Sequence, residues 1–174
     1  MNLPQLIFDL IDFRSFSNLW YWIALAVTWS TASHWVLGVP FDMVLRARRQ
    51  GGEAMIDLED IVRVNVNRML FIVGEAGLVI LAILSCVLTI LAITGFYYEV
   101  EFCQAIFLLL FPLSGVWLLG TRTAARIRAE GLSEEELCRQ LNSHRIFVQI
   151  IGVFSILITA MWGMLQNFNL SPIH

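Results

Sequence analysis

Glu75 is the residue most open to a chemical role, because it is an ionisable group inside an apolar run. The run covers residues 69–96, and Glu75 stands about two turns from its first residue. An acid at the centre of a membrane-spanning helix costs about 2.5–3.5 kcal/mol on insertion scales, so such acids either mark pathways or are paired. Two interpretations stay open: Glu75 handles a proton or cation, or it forms an ion pair near the membrane surface with Arg68, Arg122 or Arg145.

His34 is the second titratable candidate, because imidazole changes charge near physiological pH. It closes a stretch that is rich in hydroxyl side chains, including Thr31. The alternative is a histidine that only hydrogen-bonds a neighbouring helix. His144 and His174 are distant in the sequence and are predicted on opposite sides of the membrane, so no metal site is expected.

Small and polar residues recur along every apolar run, mostly three or four positions apart. Such stripes let helices pack closely where lipid provides no hydrophobic drive, or they line an aqueous path in an oligomer. A bundle of four helices has too little interior for a pore, so conduction would require several copies of the chain. The candidate pathway residues are Glu75, His34, Thr31, Ser85, Thr89 and Gln149.

Signatures of catalysis and cofactor binding are absent from the sequence. It contains no P-loop, GxGxxG or HExxH pattern. The three cysteines are scattered without CxxC spacing, which is typical of free thiols. The net charge is −3 and shows no basic nucleic-acid footprint. We therefore expect no enzyme, no cofactor and no nucleic-acid partner.

The composition requires a membrane environment for the elements that carry these residues. Hydrophobic residues make up 58% and charged residues 14% of 174 residues, against roughly 45–50% and about 25% in soluble domains. A soluble domain could not bury this much apolar surface, so the excess must face lipid. Four runs reach the ~20 residues that cross ~30 Å of hydrocarbon: residues 19–39, 69–96, 102–120 and 146–165.

The arginines predict how these spans are oriented. Lysine is absent, and ten of the eleven arginines lie in segments 40–68 and 121–145. The positive-inside rule places both segments in the cytoplasm, so both termini are expected outside, in a bacterial inner membrane. Arg46, Arg48 and Arg49 follow the first span, where they suit anionic lipid headgroups or simply set the topology.

The segments outside the spans are also predicted to be helical. The Gly51-Gly52 pair is followed by an apolar stripe that runs into the second span, which predicts one helix from Glu53 to about Gly95. Gly131 ends an extension of the third span, and Ser133 with Glu136 forms a capping box for the next helix.

The N-terminal segment has a different pattern. Residues 3–16 repeat apolar side chains at helical spacing but are interrupted by charges, which predicts an amphipathic helix lying in the interface. Ser17 and Asn18 suit a cap before the first span. The predicted fold is therefore one all-α membrane domain: a four-transmembrane-helix bundle with an interfacial amphipathic helix within residues 1–18 and helical cytoplasmic extensions.

Several short motifs resemble a family of small alphaproteobacterial four-span membrane proteins, over about residues 5–125. They are RSFSNLW at 14–20, SHW at 33–35, GVP at 38–40, DLED at 57–60 and NVNR at 65–68. Proteins of that family carry the label "component of SufBCD complex", a machinery of soluble proteins that assembles iron–sulfur clusters. With four predicted spans and no cysteine cluster, this chain takes neither activity nor functional residues from the resemblance.

Two functions remain open from the sequence. The first is a homo-oligomeric ion channel or transport-type protein, which rests on Glu75 and the polar stripes. The second is a non-catalytic structural or accessory subunit of a larger inner-membrane complex, which needs no polar pathway. Membrane lipids are partners in both, together with further copies of the chain or other membrane subunits.

Overall fold

The computed structural model describes residues 15–131 and 133–170, and nearly all of them are helical. The predicted all-α class is confirmed. After a 3-10 turn at Ser15–Ser17 the α-helices are α1 (Leu19–His34), α2 (Phe41–Gln50), α3 (Glu53–Ala92), α4 (Glu101–Glu130) and α5 (Glu134–Leu170). A short hairpin of β1 (Trp35–Val36) and β2 (Val39–Pro40) joins α1 to α2, and a π-helical turn at Ile93–Tyr97 prolongs α3.

Three helices are long and apolar enough to cross a membrane: Glu53–Tyr97, Glu101–Glu130 and Glu134–Phe168. They contain the second, third and fourth predicted spans and extend well beyond them, as the sequence indicated. The first predicted span differs, because α1 has 16 residues and is therefore about 24 Å long, short of the ~30 Å of a hydrocarbon core.

The first span was predicted to reach residue 39, but its helix ends at His34. The chain then turns back in an antiparallel hairpin that pairs Trp35 with Pro40. Leu37 and Gly38 have φ of 51° and 77°, and positive φ at both central residues is what a type I′ hairpin turn requires. The Asn65 side chain of α3 donates to the Gly38 carbonyl at 3.2 Å, which fastens the hairpin to α3.

The predicted helix boundaries of α3 and α5 are confirmed. Gly51 and Gly52 have φ of 60° and 53°, and α3 begins directly after them. Gly131 is left-handed, and the Ser133 amide and hydroxyl both donate to Glu136 Oε2, at 3.1 and 2.8 Å. These hydrogen bonds stabilise the carboxylate and lower the pKa of Glu136.

Most of the predicted N-terminal interfacial helix lies outside the described residues, which begin at Ser15. The part that is described forms a 3-10 turn, and the Phe16 side chain is buried. The predicted cap is confirmed, since the Asn18 side chain accepts from the Trp20 amide at 3.0 Å.

The main hydrophobic core lies at one end of the bundle. This end consists of α2, the first turns of α3 and α5 and the last turns of α4. It holds the ten arginines that lie between positions 46 and 145, and we call it the arginine end. Here the hairpin, α2, α3, α4 and α5 meet in a cluster of thirteen buried residues. This set, the cap core, comprises Val36, Val39, Phe41, Val44, Ala47, Met55, Leu58, Val62, Val66, Ala124, Leu137, Cys138 and Leu141.

Candidate functional site

Glu75 lies on the face of α3 that points away from the rest of the chain. On other faces of the same helix, Val73, Ala76 and Leu84 are partly buried, whereas Glu75 is exposed. Within the described residues its carboxylate has no ion pair and no hydrogen bond. The pairing with Arg68, Arg122 or Arg145 considered above is therefore not formed in a single chain; Arg145 instead stacks 3.9 Å from the centre of the Phe41 ring.

Glu75 belongs to a longer pattern on this open face. Exposed side chains recur along α3 at alternating steps of three and four residues. This set, the α3 seam, comprises Ile61, Val64, Arg68, Phe71, Glu75, Leu78, Ala82, Ser85 and Thr89. A 3.5-residue repeat is the pattern of helices that pair in a left-handed supercoil, yet no element within residues 15–131 and 133–170 covers this seam.

The packing of Gly120 indicates how deep Glu75 lies. A Cβ atom built on Gly120 would be 3.1 Å from Met69 Cε and 3.9 Å from His144 Cε1. These residues stand where the apolar runs of α3, α4 and α5 begin or end at the arginine end. Glu75 is six residues beyond Met69, about 9 Å further along α3 into its apolar run.

Two other candidates of the seam, Ser85 and Thr89, share the face of Glu75. The Thr89 hydroxyl donates to the Ser85 carbonyl at 2.8 Å, so its hydrogen-bonding capacity is met within α3. This local bond explains how a hydroxyl can face lipid at low cost. Within the apolar run, Glu75 is therefore the one charged residue of the seam, since Arg68 lies just before the run.

The remaining candidates are exposed but are not gathered around Glu75. Thr31 and His34 belong to α1, and His34 Nε2 lies 4.0 Å from Asp42 Oδ1, with both side chains largely open. Gln149 is exposed on α5. The described residues therefore form no single polar cluster from these six positions within one chain.

Four buried small or polar residues of α5, which we call the α5 stripe, are used for packing: Gly152, Ser155, Thr159 and Gly163. A Cβ on Gly152 would lie 2.8 Å from Trp29 Cε3, and one on Gly163 would lie 3.2 Å from Phe16 Cβ. Thr159 is fully buried and donates to the Ser155 carbonyl at 2.8 Å. The stripe lets α1 and α5 approach closely, which is the packing role of small residues in membranes.

The arginines proposed for lipid contact lie on the outer side of α2. Arg46, Arg48 and Arg49 are exposed, and Arg46 Nε donates to Gln50 at 3.2 Å. Arg48 also borders an open cleft of about 800 Å³ between α2 and the start of α5. That cleft carries charges of both signs, since Arg139 and Glu134 line it as well.

A buried hydrogen-bonded cluster at the opposite end was not predicted from the sequence. Gln104 is buried and donates through Nε2 to the Gly95 carbonyl at 2.8 Å. Its Oε1 accepts from Trp162 Nε1 at 2.9 Å and from Gln166 Nε2 at 3.1 Å. These four residues, the Gln104 cluster, join α3, α4 and α5 where the π-helical turn ends.

A second buried polar pair lies nearer the arginine end. The Thr123 hydroxyl and His144 Nδ1 are 3.1 Å apart, and both side chains are buried between α4 and α5. No group of three or more His, Cys, Asp or Glu residues able to hold a metal ion occurs among the described residues.

Comparison with protein-family models, with curated proteins and with solved structures found no match. The resemblance to the small alphaproteobacterial membrane proteins therefore stays a prediction.

Proposed function

We propose that the protein is a homo-oligomeric transport-type protein of the bacterial inner membrane, in which copies associate through the α3 seam and Glu75 contributes to a shared polar pathway. The observation that supports this is the position of Glu75: an acid about 9 Å inside an apolar run, exposed, and unpaired within the described residues. The arginine end is cytoplasmic in this proposal, in accord with the positive-inside rule.

Energetics favour covering this face. A lone carboxylate in contact with hydrocarbon costs about 2.5–3.5 kcal/mol at the centre of a span, and no side chain that the structure describes pairs with Glu75 to offset that cost. Copies arranged around a common axis would surround the carboxylates with protein and water instead of lipid. A single chain cannot achieve this, because its packed interior holds the stripe of α5 and leaves Glu75 outside.

The shape of the seam suits a helix of another copy. Ala82 and Ser85 are small, which allows two helix backbones to approach closely within the membrane. Phe71 and Leu78 flank Glu75 with larger apolar side chains that can fill the spaces between facing helices. The alternating spacing of three and four continues toward Ile61, so the same contact can extend out of the apolar run.

Disulfide crosslinking tests the contact. In a chain with Cys86→Ser, Cys103→Ala and Cys138→Ala, we expect Ala82→Cys to form dimers on mild oxidation in native membranes, because a disulfide needs Cα atoms within about 7 Å. The matched control is Ile83→Cys, which is also exposed but points about 100° away around the helix. Equal crosslinking at both positions, or none at Ala82→Cys, would contradict the seam.

Ion or proton flux into liposomes tests the pathway separately. We expect wild-type protein to support flux and Glu75→Gln to reduce it strongly while still forming the same oligomer. Glu53→Gln removes an exposed acid from the first turn of the same helix and is expected to conduct like the wild type. Flux that is absent from every variant, or unaffected by Glu75→Gln, would exclude a pathway through this carboxylate.

An accessory subunit of a larger complex is the second candidate. It is favoured by the packing of polar and small residues inside one chain: the Gln104 cluster is hydrogen-bonded, and the α5 stripe is buried against Trp29 and Phe16. A scaffold of this kind would place a helix of a different subunit on the α3 seam. Purified protein would then be monomeric or would retain unrelated membrane proteins, and it would conduct nothing.

A further inference from the structure

A cleft of about 230 Å³ lies between α4 and α5 at the arginine end. Its charged wall is formed by Arg122 and Arg126, one turn apart on α4. Gln140 and Ser143 of α5 add an amide and a hydroxyl from the other side. The cleft thus gathers hydrogen-bond donors around a concave surface without a carboxylate among its lining residues.

Both guanidinium groups have donors to offer. Arg122 is exposed and makes no ion pair within the described residues. Arg126 donates through Nε to Glu130 at 2.9 Å, which leaves its remaining N–H groups available. That contact is an exposed pair four residues apart on one helix, a class that contributes little. Arginine forks suit phosphate oxygens, which they bind through two parallel hydrogen bonds.

The floor of the cleft contains a buried polar pair. It is formed by Thr123 and His144, whose Oγ1 and Nδ1 atoms are 3.1 Å apart and buried. The charged side chains that line the cleft are the two arginines, and Gln140 and Ser143 add neutral hydrogen-bonding groups.

The polarity of the cleft changes along the membrane normal. Arg122 is the first charged residue after the apolar run of α4, and Leu119 precedes it by one turn on the membrane side. On the antiparallel α5, Gln140 lies on the outer side and the exposed Phe147 lies on the membrane side. The basic and polar groups thus lie toward the membrane surface, and the apolar groups lie toward the hydrocarbon. This order matches a phospholipid, whose phosphate is at the surface and whose acyl chains are in the hydrocarbon.

We propose that this cleft is a binding site for the phosphate headgroup of an anionic membrane lipid. The shared chemistry is a phosphate anion, and the apolar side chains of Leu119 and Phe147 favour a lipid over a soluble phosphate. The volume is below the roughly 300–1,000 Å³ of sites for whole drug-sized ligands, so a headgroup enters the cleft while the acyl chains lie along the bundle. Basic pockets between helices near the cytoplasmic surface are a known form of headgroup recognition.

Native mass spectrometry of the full chain tests the site, with phosphatidylglycerol and phosphatidylcholine as probes. We expect the wild type to retain phosphatidylglycerol in preference to phosphatidylcholine. R122Q/R126Q is expected to weaken phosphatidylglycerol binding about tenfold or more, because it removes two charge-assisted contacts. The matched control R63Q/R128Q removes the same charge from exposed positions of α3 and α4 that do not line the cleft, and it is expected to keep wild-type affinity.

Three results would overturn the proposal. One is an equal loss of phosphatidylglycerol in R122Q/R126Q and R63Q/R128Q, which would show a general effect of charge. Another is unchanged binding in R122Q/R126Q. The third is displacement of the lipid by millimolar inorganic phosphate, which would assign the cleft to a soluble anion.

A conservative variant keeps the test valid if R122Q/R126Q does not fold. R122K/R126K preserves both charges but lacks the planar fork, so we expect weaker phosphatidylglycerol binding with unchanged helicity by circular dichroism. Full lipid affinity in R122K/R126K would exclude recognition by the guanidinium forks. The cleft lies within one chain, so these outcomes do not depend on whether copies share the α3 seam.

Discussion

The two ends of this bundle are held together by different interactions. The cap core at the arginine end is apolar and closely packed, with Leu58 and Leu141 fully buried. At the opposite end the helices meet through the Gln104 cluster, where one amide side chain serves three partners. Between the ends, the most apolar stretch of α3 contains no buried residue at all.

The solvent explains this difference. In the topology that the arginines predict, the arginine end lies in water, where apolar side chains gain about 25 cal/mol per Å² on burial, so a small apolar core is effective. Within lipid no such drive exists between helices, and association depends on close packing of small residues and on hydrogen bonds. We therefore predict that changes in side-chain volume affect stability most in the cap core, and that changes in hydrogen bonds or in backbone contacts affect it most around the Gln104 cluster.

The largest effect is expected from a cavity in the cap core. Leu58→Ala should lower the free energy of unfolding by about 2–5 kcal/mol, as large-to-small changes in closed cores do. Leu157→Ala removes the same atoms from an exposed position of α5 and should change stability by no more than about 0.5 kcal/mol. Thermal unfolding in detergent, followed by circular dichroism, compares the two variants; similar losses would mean that the cap core is not a closed core.

The next effect concerns backbone approach at the opposite end. A Cβ on Gly95 would lie 2.9 Å from the Gln104 amide nitrogen, which is backbone and cannot turn aside. Gly95→Ala should therefore cost about 1–3 kcal/mol. A Cβ on Gly115 would have no atom within 4 Å, so Gly115→Ala should instead stabilise α4 by about 0.5–1 kcal/mol. If Gly95→Ala lowers and Gly115→Ala raises the free energy of unfolding, the close contact between Gly95 and the Gln104 backbone is supported. Changes of the same sign in both variants would contradict it.

A smaller effect is expected from the hydrogen bonds themselves. Gln104→Leu keeps the volume but leaves the Trp162 indole and the Gln166 amide without their acceptor. We expect a loss of about 1 kcal/mol, since hydrogen bonds between membrane helices average about 0.6 kcal/mol and reach about 1.7 kcal/mol. Gln149→Leu is the control, because Gln149 is exposed and has no recorded partner within the described residues. A larger loss in Gln149→Leu would show that the Gln104 cluster is not the polar contact that matters.

The smallest effect concerns the cap of α5 at the arginine end. Two hydrogen bonds from Ser133 lower the pKa of Glu136, so the folded state binds the proton less readily than the unfolded state. The stabilisation is therefore present at neutral pH and is lost as the pH falls through the lowered pKa. Glu136→Ala should be slightly less stable than the wild type at pH 7, and the difference should shrink as the pH is lowered below about 4.3, the ordinary pKa of glutamate.

Glu135→Ala is the control for that pH dependence. Glu135 is an exposed neighbour in the same first turn and forms no hydrogen bond within the described residues. We expect its melting temperature to follow the wild type across the pH series. A difference for Glu136→Ala that persists in acid would mean that the side chain contributes through packing or helix propensity and not through its charge.

Local signals predicted most of the helix boundaries. Gly51-Gly52, Gly131 and the capping box at Ser133 act through nearby backbone, so their effect can be predicted from a few residues. Asn18 is a cap for the same reason. The end of α1 was predicted five residues too late, because Trp35, Val36 and Val39 are apolar enough to continue a span and the hairpin depends on a contact with Asn65 from α3.

The sequence by itself determined that this chain is helical, membrane-associated and strongly asymmetric in its arginines, since composition, periodicity and charge are properties of short segments. Only the tertiary structure decided which side of each helix is covered. Gln104 and Gln149 are the same residue type in similar apolar runs, yet one is buried in a hydrogen-bonded cluster and the other is exposed. In a membrane helix both lipid-facing and protein-facing positions are apolar, so the pattern alone does not distinguish them. For Glu75 the sequence indicated an acid within the apolar run, and the packing of α3 placed it on the open face.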